Sequence, residues 1–266
     1  MRPRHWHATA LHATGRTCGR GARISTLVLI PARLAATRLP GKPLADIGGL
    51  PMIVRVLRAA QAAEVGPVAV AAGDAEIVEA VERAGGRAVL TDPALPSGSD
   101  RVQAALGALD PAGEHGAVIN LQGDMPFVGP EVLTACARLL ADCDLSTVVA
   151  PEASPSDRAN PDVVKAVLAM EQDRREGRAL YFTRSTLYGD GPVWRHVGVY
   201  GWRRAALQRF TAAPPSPLER REKLEQLRAL ELGLIIRAAV VAEAPISVDT
   251  PADLERARAY AVAPPV

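Results

Sequence analysis

Between Thr26 and Asp124 the chain alternates short unbroken apolar runs with longer stretches whose apolar residues recur every three or four positions. TLVLIPA (26–32) reads as a strand buried on both faces and ending near Pro31. PMIVRVLRAAQAAE (51–64) places Ile53, Val54, Leu57 and Ala60 on one helical face and opens with Pro51. GPVAVAAG (66–73) is a second strand, and AEIVEAVERAGG (75–86) a helix closed by Gly85. RAVLT (87–91) is a third strand, SGSDRVQAALGAL (97–109) a helix with a serine cap, and GAVINLQGD (116–124) a fourth apolar strand. Strands alternating with helices of this length predict βαβ units and a mostly parallel sheet covered on both faces, an α/β fold.

The rhythm changes after about Pro151. NPDVVKAVL, RALYFTRS and RHVGVYGW read as extended segments separated by polar insertions. RRAALQRF and SPLERREKLEQLRALEL then read as helices, the second amphipathic, with its charges solvating one side. IIRAAVVAE is a last short strand, and VDTPADLERARAYA a turn and helix. The pattern predicts one domain over 26–266, with a β-rich excursion at about 162–202 that would suit a dimerisation arm.

Charge changes the picture at one end. The whole chain has 31 basic and 29 acidic residues, a net charge of +2, but residues 1–25 carry five arginines and no acid. Without them 26 basic residues face 29 acidic ones, so the body is mildly acidic. The start lacks the apolar core of a secretory signal. It reads as a disordered extension, which leaves nucleic-acid binding without support elsewhere in the chain. No apolar run approaches the ~20 residues that span a bilayer. Three cysteines at irregular spacing give neither a disulfide framework nor a zinc site, and a reducing cytoplasm is the expectation.

Three places carry candidate chemistry. After the first strand comes RxxxTRxPGK, which sets Arg33, Thr37, Arg38, Gly41 and Lys42 along one loop before the chain's first acid, Asp46. Ligands in open α/β sheets bind beyond the carboxyl ends of strands, and two guanidiniums with an ammonium suit a polyphosphate. A solvated charged loop is the plainer reading, but it does not account for the position or the missing acids. INLQGD sets Asp124 at the end of a buried strand, where a carboxylate can hold Mg²⁺ against phosphate or simply cap a turn. SVDTPADLERAR sets Asp249 before a helix, as a cap or as Asp124's partner in holding the ion. Ser97 and Gly98 open a helix; His196 and Tyr200 share a strand face; Glu225 and Gln226 are placed to meet hydroxyls.

IPARxxxTRLPGKPL, SGSDR, NLQGD, NPxxVK, ALYFTR, RHVGVYG, SPLExxExLEQLR and SVDTPxDLE, in this order, resemble the 3-deoxy-manno-octulosonate cytidylyltransferases, or CMP-Kdo synthetases. The resemblance spans roughly Thr26 to Tyr260. It implies a nucleotide-diphosphosugar-transferase type (Rossmann-like) fold, a homodimer, and transfer of CMP from CTP to the acid sugar Kdo with Mg²⁺ as cofactor, for lipopolysaccharide. It further implies that Arg33, Arg38 and Lys42 hold the CTP phosphates and that Ser97 and Gly98 lie near the cytosine. Asp124 and Asp249 would ligate Mg²⁺, and Gln122, His196, Tyr200, Glu225 and Gln226 would line the Kdo pocket. The chain departs from the family pattern at Ala36, where serine is frequent, at Met125 in place of glutamate, and at Gly73 in place of threonine. The rival readings are another acid sugar, such as amino-Kdo or a sialic acid, and a non-catalytic nucleotide-binding regulator.

Overall fold

A computed structural model describes residues 24–35, 39–152, 154–170 and 175–262. Thr37, Arg38 and the departure at Ala36 lie outside the described residues, as does nearly all of the arginine-rich start.

The first strand, β1 (Thr26–Ala32), is buried along its whole length because its two faces meet different layers. Val28 and Ile30 join one apolar cluster, and Leu27 and Leu29 join another on the opposite face. A small hairpin follows, β2 (Asp46–Ile47) and β3 (Leu50–Pro51), turned by Gly48 and Gly49, both at positive φ. Then come α1 (Met52–Ala62), β4 (Val68–Ala72), α2 (Ala75–Arg83), β5 (Ala88–Leu90), α3 (Gly98–Leu109), β6 (Ala117–Leu121) and α4 (Pro130–Leu139). Helices α1, α2 and α4 bury Leu57, Val81 and Leu133 in the first cluster, whereas α3 buries Val102 and Leu106 in the second.

The remaining elements are β7 (Leu145–Pro151), β8 (Lys165–Met170), β9 (Glu176–Thr183), β10 (Trp194–Arg203), α5 (Arg204–Ala212), α6 (Pro217–Glu222), α7 (Gln226–Glu231), β11 (Ile236–Val240) and α8 (Pro251–Val262). The nine-stranded sheet runs β5-β4-β1-β6-β10-β7-β11-β9-β8. Pairings from β5 through β6 are parallel, as the alternating pattern predicts. Beyond β6 they are antiparallel except for β7 with β11. β8 also pairs with the start of β10, so β10, β7, β11, β9 and β8 curl into a ring.

Three elements differ from the sequence reading. β7, a central strand, is one that the sequence reading did not single out. The span 162–202 supplies β10 to the middle of the sheet, as well as two strands toward its edge. The single amphipathic helix over SPLERREKLEQLRALEL is two short ones. Lys223, at φ 56, ends α6 in a left-handed turn that delivers Leu224 to the core. Arg228 is consequently buried rather than solvated, with its Nη2 2.6 Å from Glu219 across the break.

Candidate active site

Two parallel neighbours, β1 and β6, end side by side, and the loops leaving them make the site's floor. Gly41 takes φ +70, a left-handed turn that a side chain would strain, and starts the short 3-10 turn Lys42–Leu44. Gly123 lets the second loop press close: a Cβ there would stand 3.0 Å from the Pro31 carbonyl oxygen. The third segment of the site, residues 246–249, is docked on the second loop, for Val248 N donates to the Asp124 carbonyl at 2.9 Å.

Lys42 joins the three. Its Nζ donates to Asp124 Oδ2 at 3.0 Å, to Asp249 Oδ1 at 3.1 Å and to the Val248 carbonyl at 3.1 Å. Burial works against the lysine's charge, but the two carboxylates outweigh it and raise the Lys42 pKa. Burial raises the Asp124 carboxyl against the pull of Lys42, and the charge of Asp249 adds to the rise.

The helix-cap alternatives for both aspartates are settled by the local bonds. α4 opens at Gly129, five residues past Asp124. α8 is capped reciprocally by Thr250 and Asp253: Thr250 N donates to Asp253 Oδ2 at 2.9 Å, and Asp253 N donates to Thr250 Oγ1 at 3.2 Å. Asp249 itself is left to face Lys42.

Two cavities open from this junction. The smaller, about 290 Å³, is lined by Arg33, Lys42, Ser97, Gly98, Arg101, Gln122 and Asp124 among others. The Ser97 hydroxyl serves as a cap, accepting from Asp100 N at 3.2 Å and donating to the Asp100 carboxylate at 2.7 Å. Arg101, not singled out from the sequence, is buried beside Arg33. Burial and the charge of Arg33 lower its pKa. Gly73 accounts for the closeness: a Cβ there would stand 2.9 Å from Arg101 Nη1 and 3.1 Å from Arg33 Cβ.

The larger cavity, about 610 Å³, shares Gln122 and Asp124 with the first and is walled by Met125, His196, Tyr200, Gln226 and Asp249. A register shift between Val197 and Tyr200 bulges β10, and Thr147 Oγ1 fixes the bulge by donating to Val199 O at 2.8 Å. That bond uses the hydroxyl proton, so His196 Nε2, 3.0 Å from the same oxygen, is the protonated ring nitrogen. Burial lowers the His196 pKa to about 3, so the ring is neutral. It packs edge-on to Phe182 at 5.0 Å between centroids and lies 5.4 Å from Tyr200. Tyr200 Oη donates to Gln226 Oε1 at 3.3 Å, and Gln226 Nε2 is buried with no hydrogen-bond partner.

Glu225 does not line this cavity, contrary to expectation. Its carboxylate accepts from Ser99 Oγ at 2.6 Å, tying α7 to α3, and burial raises its pKa. Conversely, Asn160, Arg184 and Arg195 line the cavity without having been picked out. All three lie inside motifs quoted above, NPxxVK, ALYFTR and RHVGVYG. Arg184 and Arg195 gave a signal as polar residues flanking apolar runs; Asn160, between Ala159 and Pro161, gave none.

The donor set fits a divalent ion. Two carboxylate oxygens from separate loops converge on one ammonium, a cation standing between them. Mg²⁺ takes one or two carboxylates and completes its shell with water and phosphate. Among the described residues no cluster of three or more His, Cys, Asp or Glu offers an all-protein metal cage.

Comparison with known proteins matches residues 27–236 to a family model described as cytidylyltransferase. The 3-deoxy-manno-octulosonate cytidylyltransferase of Rhodospirillum centenum is 56% identical over 236 residues, covering 88% of this chain and 92% of that protein. The enzyme of the same name from Parvibaculum lavamentivorans is 57% identical, covering 88% and 91%. A solved structure of CMP:2-keto-3-deoxy-manno-octonic acid synthetase complexed with CTP superposes with a TM-score of 0.80 at 37% identity, over 89% of this chain and 98% of that one. The 4-diphosphocytidyl-2C-methyl-D-erythritol synthase of Anaerococcus prevotii shares the fold, with a TM-score of 0.61 at 14% identity over 90% of this chain and 99% of that one.

Proposed function

The chain belongs to the 3-deoxy-manno-octulosonate cytidylyltransferase family, and from that membership we infer that it joins CMP from CTP to 3-deoxy-manno-octulosonate (Kdo), giving CMP-Kdo and pyrophosphate for lipopolysaccharide assembly. The observation that carries this reading is the shared wall. A nucleotide in the smaller cavity and an acid sugar in the larger one would meet at Gln122 and Asp124, beside Lys42.

In this reading Arg33 and Lys42 take the triphosphate, joined by Thr37 and Arg38 from the same loop. Ser97 and Gly98 wall the nucleotide, and Arg101 adds a buried positive charge beneath it. Gln122, His196, Tyr200 and Gln226 hold the sugar through neutral hydrogen-bonding groups. The C2 hydroxyl of Kdo attacks the α-phosphorus in line as the bond to pyrophosphate breaks. Lys42 exchanges its carboxylate partners for phosphate oxygens and stabilises the leaving charge. Asp124 and Asp249 would hold Mg²⁺, which supplies charge neutralisation at the phosphate and a more acidic attacking hydroxyl. Positioning and charge can carry most of such a transfer, which needs no covalent enzyme intermediate.

The same reading takes the protein as a cytoplasmic homodimer. Supporting it, Met170, Leu180 and Tyr188 are exposed apolar residues in the β8–β9 region and the loop after it, a surface that a second copy would cover. No described helix is long and apolar enough to cross a membrane.

Pyrophosphate release from CTP and Mg²⁺, with Kdo, amino-Kdo and sialic acid supplied separately, tests the function. Release with Kdo, abolished by chelator, is the expected outcome. Preference for another sugar moves the substrate. No release from folded protein that binds CTP favours a regulator.

A further inference from the structure

Lys165 is fully buried at the start of β8, where that strand pairs with both β9 and β10. Its side chain does not line the larger cavity, yet its Nζ donates three hydrogen bonds, all to carbonyl oxygens: Asn160 at 2.7 Å, Arg184 at 2.8 Å and Val163 at 2.9 Å. Each of those three residues does line the cavity. They come from two segments that share no strand pairing of their own, the loop before β8 and the residue after β9.

Burying an ammonium is costly unless its donors are satisfied, and an apolar side chain of like size could fill the same space. What an apolar residue could not do is collect three carbonyls that face inward from irregular backbone. Arg184 is held from further sides as well. Its N–H donates to Glu222 Oε2 at 3.3 Å, and its Nη1 donates to the Pro161 carbonyl at 3.0 Å. One residue along from the Arg195–Lys165 pairing, His196 N donates to the Val164 carbonyl at 2.8 Å. The loop and Arg184 are thus gathered on one nitrogen, and the loop is tied in turn to the histidine strand.

We propose that Lys165 is a positioning residue of the larger cavity, its ammonium holding the 160–164 loop and Arg184 in the arrangement that receives the acid sugar. The proposal rests on the cytidylyltransferase reading for its substrate but not for its geometry.

The test uses the full-length protein with Lys165→Met and Lys165→Arg, assayed well below their melting temperatures. Steady-state pyrophosphate release gives KM for each substrate, and amide hydrogen exchange is followed in 160–164 and 183–185. In Lys165→Met the expected result is a KM for Kdo raised about tenfold or more, with KM for CTP unchanged within about twofold, and faster exchange in both segments. Lys165→Arg keeps the charge but cannot aim three donors at one point. It should show the same one-sided effect, smaller, and it decides the matter if the methionine variant does not fold. Equal changes in both KM values, or a lowered melting temperature with neither KM moved, overturn the proposal. If the wild type releases no pyrophosphate with Kdo, the functional reading fails by itself. Exchange then decides alone, and unaltered exchange in 160–164 overturns the positioning role.

Discussion

The two cavities meet at one carboxylate, yet they are built by opposite means. The smaller lies beyond strands that run parallel, and its charged groups are Arg33, Lys42 and Asp124 from the loops after those strands, with Arg101 from α3. The larger is built on antiparallel β10 with its bulge, and beside the charges of Arg184, Arg195 and Asp249 it sets three uncharged polar side chains, His196, Tyr200 and Gln226. A polyphosphate is recognised by charge that can be supplied from mobile loops. A polyhydroxylated sugar needs fixed donors and acceptors, because mispaired buried polar groups discriminate against the wrong ligand. The parallel half supplies field, and the antiparallel half adds shape to it.

Asp124 breaks this division, since it belongs to both walls. Asp124→Asn keeps the side chain's volume but removes the charge opposite Lys42 and one of two carboxylates suited to Mg²⁺. Turnover should fall by about 10³-fold, with the circular dichroism spectrum unchanged. A variant with near-normal kcat would remove Asp124 from the chemistry and leave Asp249 alone as a metal ligand.

His196 sharpens the division, because it touches the larger cavity alone. His196→Phe keeps an aromatic ring between Phe182 and Tyr200 and deletes both nitrogens. KM for Kdo should rise about tenfold while KM for CTP stays put, as expected when a hydrogen bond to one substrate is lost. Because its folded pKa is about 3, the pH–rate profile of the wild type should show no histidine limb between pH 5 and 8. The stability consequence has a definite sign. Unfolded histidine titrates near 6.5, so below that pH the unfolded chain binds a proton that the folded one refuses. Stability is therefore intact above about pH 6.5 and declines toward pH 3, by at most about 1.4 kcal/mol per pH unit. Melting curves of His196→Phe should be flatter over that interval than those of the wild type.

The two halves also differed in how far they could be read from sequence. β1, β4 and β6 are buried on both faces, so they stand out as apolar runs; the loops after β1 and β6 carry Lys42 and Asp124, whose side chains meet, and Asp249 joins them from the extended stretch before α8. The antiparallel half was less legible. β7 went unread although Asp142 and Asp144 separate it from α4. The break at Lys223 depends on a left-handed turn taken by a residue with no preference for one, so α6 and α7 looked continuous. The family resemblance put Glu225 in the sugar pocket, whereas its carboxylate meets Ser99. Lys165 and Arg184 were visible as residues but not as a pair, since what joins them is backbone carbonyls, which carry no side-chain signature.

Ser97 probes the comparison most gently. It walls the smaller cavity, and its hydroxyl caps α3: it accepts from Asp100 N and donates to the Asp100 carboxylate. If charge alone governs the smaller cavity, Ser97→Ala should cost about 1 kcal/mol of stability through the lost cap, seen as a melting temperature lower by about 2–4 °C. KM for CTP should stay within about twofold of wild type, because no charge has been removed. A large rise in KM for CTP with an unchanged melting temperature would reverse the assignment. The hydroxyl would then be reading the nucleotide, and the smaller cavity would share the fixed neutral recognition that distinguishes the larger one.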